Sequence, residues 1–328
     1  MSLGSNRPCV PASVLMLLTL AAFGLLWLPA YWGIPAPGHI PLDWSSYWYA
    51  MLHTVWNPTN VVATTLSWML PLLCGVLIFF VNRLHQVIRT ESWFPIFFLL
   101  FTIGLVWTGH MMSPGIYAST FVVISLIRFI DARDPVWAAF DVHFFLSAGS
   151  LFSFEVIWYC PIFFIFLINE RRFNFRMIWS SLFGVLIPYL LTIGIAILTD
   201  TLPLFFQMMV NVWHSFGWYP ITDGMVWAQF GLILALSFWC AWHFIRNYTK
   251  DKNKSRSYMT FVYCTLLFST IISFFYPAPL LQGAPVICAL ASTVFSHYFA
   301  NARGRLPKII FALAVSSMSA VYIFHYLW

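Results

Sequence analysis

The carboxylates and imidazoles that could do acid–base or metal chemistry are few: ten acids and nine histidines in 328 residues. Glu155, in LFSFEVIWYCP, is the sharpest candidate, because it stands inside an apolar run. An ionised carboxylate there is costly and faces a cavity or a partner. Its plain alternative is an acid close enough to the membrane surface to reach water. Asp43 lies in PLDWSSYWYAMLHTVWNP, just ahead of Trp44, Ser45 and Ser46. That pattern fits the N-cap of an interfacial helix, and also a general base or metal ligand at a membrane-surface site. His53, His110, His214 and Asp223 sit in comparable segments and are candidate substrate-binding residues. Asp141, followed by His143 in FDVHFF, reads as the acid of a structural ion pair with Arg128 or Arg133. No HxxxH, HExxH, P-loop, GxSxG or GxGxxG pattern occurs, and the six cysteines show no CxxC spacing. Any chemistry must be assembled from distant segments.

Those segments belong to a membrane protein. The chain is 61% hydrophobic and 8% charged with a mean hydropathy of +0.82. A soluble domain carries about 25% charged residues. The net charge of +6 does not point to nucleic acid, because the basic residues border apolar runs and read as topology signals and anionic-lipid anchors. The first apolar run continues to Trp32 without a small-residue cleavage site, which predicts an uncleaved membrane helix.

About 20 apolar residues cross a bilayer as a helix. Runs of that length lie at 12–32, 61–82, 93–110, 177–199, 225–246, 257–276, 280–300 and 308–328, with shorter ones at 116–130, 136–150 and 152–169. All sixteen Lys and Arg fall into clusters between these runs. Cytoplasmic loops retain Lys and Arg, so placing every cluster inside predicts a single all-α membrane domain over 1–328. It has about eleven spans, a cytoplasmic N-terminus and an outer C-terminus. The expected parts are an outer loop at 33–60, short-span hairpins over 113–170, and a basic cytoplasmic loop at 246–257. The run 202–213 cannot cross without breaking the order, so it is expected to lie at the outer interface or re-enter part way. The outer face then carries Asp43, Glu155, Asp200, Asp223 and several histidines, but no Lys or Arg.

From Ser113 to Leu191 the elements follow a recognisable order. A short span and a charged turn lead to FDVHFFLSAGSLFSFE, a basic turn at Arg171 and Arg172, and a GVLIPYLL span. This order resembles a polytopic inner-membrane family of the Bacteroidetes to which no activity is assigned, and it implies a bacterial inner-membrane location. More remotely it is similar to the membrane core of type C glycosyltransferases, multispan enzymes that use polyprenyl-phosphate-linked sugars. That likeness implies Asp43 as the catalytic acid of the first outer loop, Glu155 as an organiser of the site, and 202–213 as an outer interfacial helix. The chain departs from the enzymes where they often carry a Lys at the end of the hairpin; it has Glu155. It also lacks an outer cation for a lipid phosphate, so the likeness implies a divalent ion in that role, held by Asp43, Glu155 or His110 through oxygen and imidazole ligands. The alternative is a non-catalytic subunit that scaffolds an envelope-assembly or secretion complex with membrane-protein partners. A transporter using Glu155 and Asp141 ranks third, since no internal repeat is present.

Overall fold

In lipid, a backbone must satisfy its own N–H and C=O groups, and a single apolar segment does so only as a helix. The computed structural model follows that constraint throughout. It describes residues 10–31, 47–56, 60–85, 92–105, 113–131, 134–171, 174–214, 224–275 and 277–327. Among these there are thirteen α-helices, two short 3-10 turns and no strand. The helices are α1 (Ala12–Tyr31), α2 (Tyr47–Trp56), α3 (Asn60–His85), α4 (Phe94–Leu105), α5 (Pro114–Asp131), α6 (Pro135–Ser150) and α7 (Tyr159–Arg171). They continue as α8 (Phe175–Leu198), α9 (Leu202–His214), α10 (Gly224–Arg246), α11 (Asn253–Phe275), α12 (Pro277–Asn301) and α13 (Arg305–Leu327). Six of them, α3, α5, α8, α10, α12 and α13, are long and apolar enough to cross a membrane. The short run at 136–150 is α6, the run at 152–169 is a 3-10 turn followed by α7, and the segment 202–213 forms α9.

Local signals start the helices. Asp134 caps α6, its side chain accepting from Val136 N at 2.8 Å with Pro135 at the first position. Asn174 caps α8 by accepting from Arg176 N at 3.1 Å. Buried hydroxyls inside the helices bond back to the preceding turn, as Thr102 does to Phe98 O at 2.6 Å and Ser296 to Ser292 O at 2.6 Å.

The bundle is organised around α12. Its stretch 283–300 is buried throughout, against α4, α5, α10 and α11. A helix enclosed on all sides has no polar face to show. Phe98 of α4 packs its ring on Phe295 and Phe299 of α12 at 5.4 and 5.3 Å. Elsewhere glycine brings backbones together, as membrane helices require. A Cβ on Gly75 of α3 would lie 3.0 Å from Ile96 Cα of α4.

Cross-helix contacts sort the helix ends into two sets. At one end Lys254 Nζ meets His85 Nδ1 at 3.1 Å, and His85 Nε2 lies 3.3 Å from Asp131 Oδ1. Lysine only donates, so His85 accepts at Nδ1 and carries its proton on Nε2, toward Asp131. Asp251 Oδ2 lies 3.3 Å from His297 Nε2, Arg128 Nε lies 3.7 Å from Asp141 Oδ2, and Ser180 Oγ donates to Val136 O at 2.6 Å. The ring of His243 meets that of Tyr298 at 4.8 Å. These contacts join the C-terminal ends of α3, α5, α10 and α12 to the N-terminal ends of α6, α8 and α11. Among the described residues, every Lys and Arg falls at this basic end.

At the opposite end Tyr31 OH meets Thr65 Oγ1 at 2.9 Å and Ser150 Oγ meets Tyr189 OH at 2.7 Å. Here α2 and α9 pack on α8: Tyr47, Leu151, Ala196 and Phe205 form a small apolar cluster. Tyr47 OH bonds Thr201 Oγ1 at 2.7 Å, and Trp48 Nε1 donates to Thr192 Oγ1 at 3.0 Å. Each such bond contributes about 1 kcal/mol. Combining Tyr47→Phe with Thr192→Val is therefore expected to speed amide exchange across 47–56 by on the order of tenfold, with α12 unchanged. Hydrogen-exchange mass spectrometry reads this directly, and unchanged protection of α2 would refute the anchoring role.

Candidate functional site

The α6–α7 hairpin turns over at residues 151–153. Phe152 N and Ser153 N both donate to Gly149 O at 3.0 Å, closing the end of α6. Phe152 stacks on Tyr117 of α5 at 4.9 Å and on Phe121 at 5.7 Å. Ser153 is extended (φ −145°, ψ 105°) and leads into a 3-10 turn, Phe154–Trp158, before α7 begins. Within this turn Glu155 and Val156 are buried against the neighbouring helices.

Glu155 stands on that turn and is 6% exposed. Ser153 Oγ donates to Glu155 Oε1 at 2.9 Å. The other oxygen, Oε2, faces the start of α12, where a Cβ on Gly283 would come within 2.5 Å of it. Glycine at 283 is what lets the carboxylate lie against the helix. Ser273 Oγ lies 3.7 Å from the same point and donates to Ser269 O at 2.9 Å. Tyr159, one turn after Glu155, shares a 2.7 Å hydrogen bond with Ser269 Oγ. The carboxylate thus lies where the 3-10 turn, α11 and α12 meet, among the hydroxyls of Ser153, Tyr159, Ser269 and Ser273. Burial withdraws it from water, so the reading of Glu155 as an acid that reaches the surface gives way to one enclosed by protein. On α2, burial together with the neighbouring Tyr117 of α5 pushes the Tyr49 phenol up to about 12.

The other expected residues fall in two places. Asp141 and Arg128, 3.7 Å apart, sit at the basic end, at the far end of α6 from Glu155. His143 ties α6 to α7: Nδ1 is 2.7 Å from Ala139 O and Nε2 is 3.2 Å from Cys160 O. Carbonyls only accept, and a neutral ring serves one of them with its single N–H. His53 belongs to α2 and His214 closes α9, the two helices at the Glu155 end. Asp200 occupies the left-handed turn between α8 and α9 (φ 54°), a position that Asp tolerates better than most residues. Asp43, His110, Asp223 and Arg133 lie outside the described residues.

Sequence reasoning missed Gly283, Tyr159, Ser269 and Ser273. Two of the signals were present as helical spacing, since Tyr159 follows Glu155 by four residues and Ser273 follows Ser269 by four. It also missed the second buried polar group, Asp251 and His297 at the basic end, with the Tyr263 hydroxyl close to Asp251.

Among the described residues no group of three or more His, Cys, Asp or Glu could hold a metal ion. Of the three residues expected to hold a divalent ion, Asp43 and His110 lie outside the described residues, and Glu155 stands among hydroxyls. Comparison with protein-family models, with curated proteins and with solved structures finds no match.

Proposed function

We propose that this chain is a multi-pass protein of a bacterial inner membrane that transfers a sugar from a polyprenyl phosphate to an acceptor at the Glu155 end of its bundle. The observation that carries the reading is Glu155 itself. It is a carboxylate withdrawn from solvent, at the end without described Lys or Arg, on the hairpin turn against which α2 and α9 pack. The topology proposed with it has eleven spans, α1, α3 to α8 and α10 to α13, with the N-terminus inside and the C-terminus outside. It is supported by the alternation of helix directions and by the gathering of described cations at one end, which charge bias assigns to the cytoplasm. The likeness of Ser113–Leu191 to the Bacteroidetes inner-membrane family supports the location.

In this reaction Asp43 takes the proton of the acceptor hydroxyl. The acceptor oxygen bonds to the anomeric carbon, the bond from that carbon to the lipid phosphate oxygen breaks, and the polyprenyl phosphate leaves with the bonding electrons. Glu155, held by Ser153 on the 3-10 turn, organises the site as its second acid–base group. The purified chain, reconstituted with a fluorescent polyprenyl-phosphate sugar, should transfer the label. Asp43→Asn should abolish transfer with yield and melting unchanged. Full activity in that variant, or no transfer by the unmodified chain, would sink the proposal.

One observation favours a second reading, a scaffolding subunit: Glu155 is packed so closely against Gly283 that the carboxylate is a joint between helices. A stoichiometric membrane partner retained through mild-detergent purification would support it. The transport reading loses ground because Asp141 pairs with Arg128 at one end while Glu155 lies at the other.

A further inference from the structure

On the outside of the bundle α10 and α13 pack side by side, running in opposite directions. Between them lies a groove of about 750 Å³, lined by Leu232, Leu236 and Trp239 of α10 and by Leu306, Leu313 and Met318 of α13 among others. On α13 the lining runs from Leu306 to Ala320, about 21 Å at 1.5 Å per residue. That exceeds the roughly 15 Å depth of one leaflet's hydrocarbon. The walls are almost wholly apolar and the groove lies between two helices apolar enough to span. Such a shape suits an acyl chain and offers little to a soluble metabolite.

Charge is confined to one end. Arg246 follows the lining residue Trp239 by seven positions, two turns, and so returns to the groove face of α10. Its guanidinium lies 5.0 Å from the Trp242 ring, a cation–π contact that holds the charge at the helix end. Arg305 opens α13 one turn ahead of the lining residue Ile309. Both are exposed. Lys308 is equally exposed but sits about 200° around α13 from Leu306, on the far side from the groove. A long apolar trough with two arginines at one mouth is the complement of an anionic phospholipid, phosphate at the arginines and chains along the trough.

We infer that the α10–α13 groove seats an anionic phospholipid, with Arg246 and Arg305 holding its phosphate. This lipid lies at the basic end, remote from Glu155, and is a bound component and not a reactant. The full chain, delipidated in detergent, is titrated by native mass spectrometry with phosphatidylglycerol and with phosphatidylcholine. One phosphatidylglycerol should bind in clear preference. The Arg246→Gln, Arg305→Gln double variant should weaken it about 25-fold, about fivefold per cation, while Lys308→Gln leaves it unchanged. Ala314→Trp, which fills the groove from its lining, should abolish binding without changing the melting temperature. Equal binding of the two lipids, an equal loss in Lys308→Gln, or displacement by a lower concentration of polyprenyl phosphate would each overturn the assignment.

Discussion

Gly184→Ala is expected to melt at a temperature lower by several degrees and to give a poor yield of folded protein. The α6–α8 seam is the most extensive helix contact in the bundle, and Gly184 stands in its middle. A Cβ there would lie 2.6 Å from Phe140 O, 3.1 Å from Phe144 N and 3.2 Å from His143 Cβ. Two of these are backbone atoms of α6, so no rotamer change makes room and the helices must separate. Overpacking of this kind costs about 1–3 kcal/mol. Separation would also stretch the bonds that cross the seam, Ser147 Oγ to Val185 O at 2.7 Å and Ser180 Oγ to Val136 O at 2.6 Å. The same helix supplies the control. Gly194 meets nothing within 4 Å of an added Cβ, and alanine is the better helix former. Gly194→Ala should therefore melt at or above the unmodified protein. Equal melting of the two variants in a detergent thermal-shift assay would show that α6 and α8 are not packed this closely.

The second large effect is expected at Glu155. Glu155→Gln keeps the shape of the side chain and an acceptor for Ser153, so the fold should survive with little change in melting. What it removes is the ionisable group. If Glu155 takes part in the proposed transfer, the rate should fall by roughly 10²–10⁴. Glu155→Ala is a different perturbation: it leaves the Ser153 hydroxyl buried without its partner, at about 1–3 kcal/mol, and opens a gap beside Gly283. A purely structural Glu155 predicts the reverse ranking, with Glu155→Gln active and Glu155→Ala unstable. Measuring transfer rate and melting on both variants separates the two roles.

Much of the architecture was legible in the sequence because the bilayer leaves few choices. Apolar runs become helices, and the cations cluster at every second junction. In the structure the described ones fall at one end, joined there by His85, Asp131 and Lys254 and by Asp251 and His297. Glu155 was legible as a candidate for the same reason, being the acid that an apolar run should not contain. Asp141 was legible as the neighbour of Arg128 because short loops bring charges at helix ends together.

Burial was not legible. Among the candidate spans α8 is the most apolar, yet most of it is exposed; α12 is among the least apolar, yet 283–300 is wholly buried. In water, hydropathy predicts the core because the exterior is polar. In a membrane both neighbours of a helix are apolar, and small residues such as Gly283, Ala284, Ala291 and Ser292 mark the packed helix instead. The partners of Glu155 were hidden for a related reason. Gly283 lies more than a hundred residues away in the chain, and a glycine announces nothing about what will fill the space it leaves. The sequence by itself determined the helices, their alternation and the segregation of charge, since each follows from the local cost of exposing backbone or charge to lipid. Only the tertiary structure decided which helix lies at the centre and that Glu155 closes against Gly283, because helix packing depends on shape across contacts that no local pattern encodes.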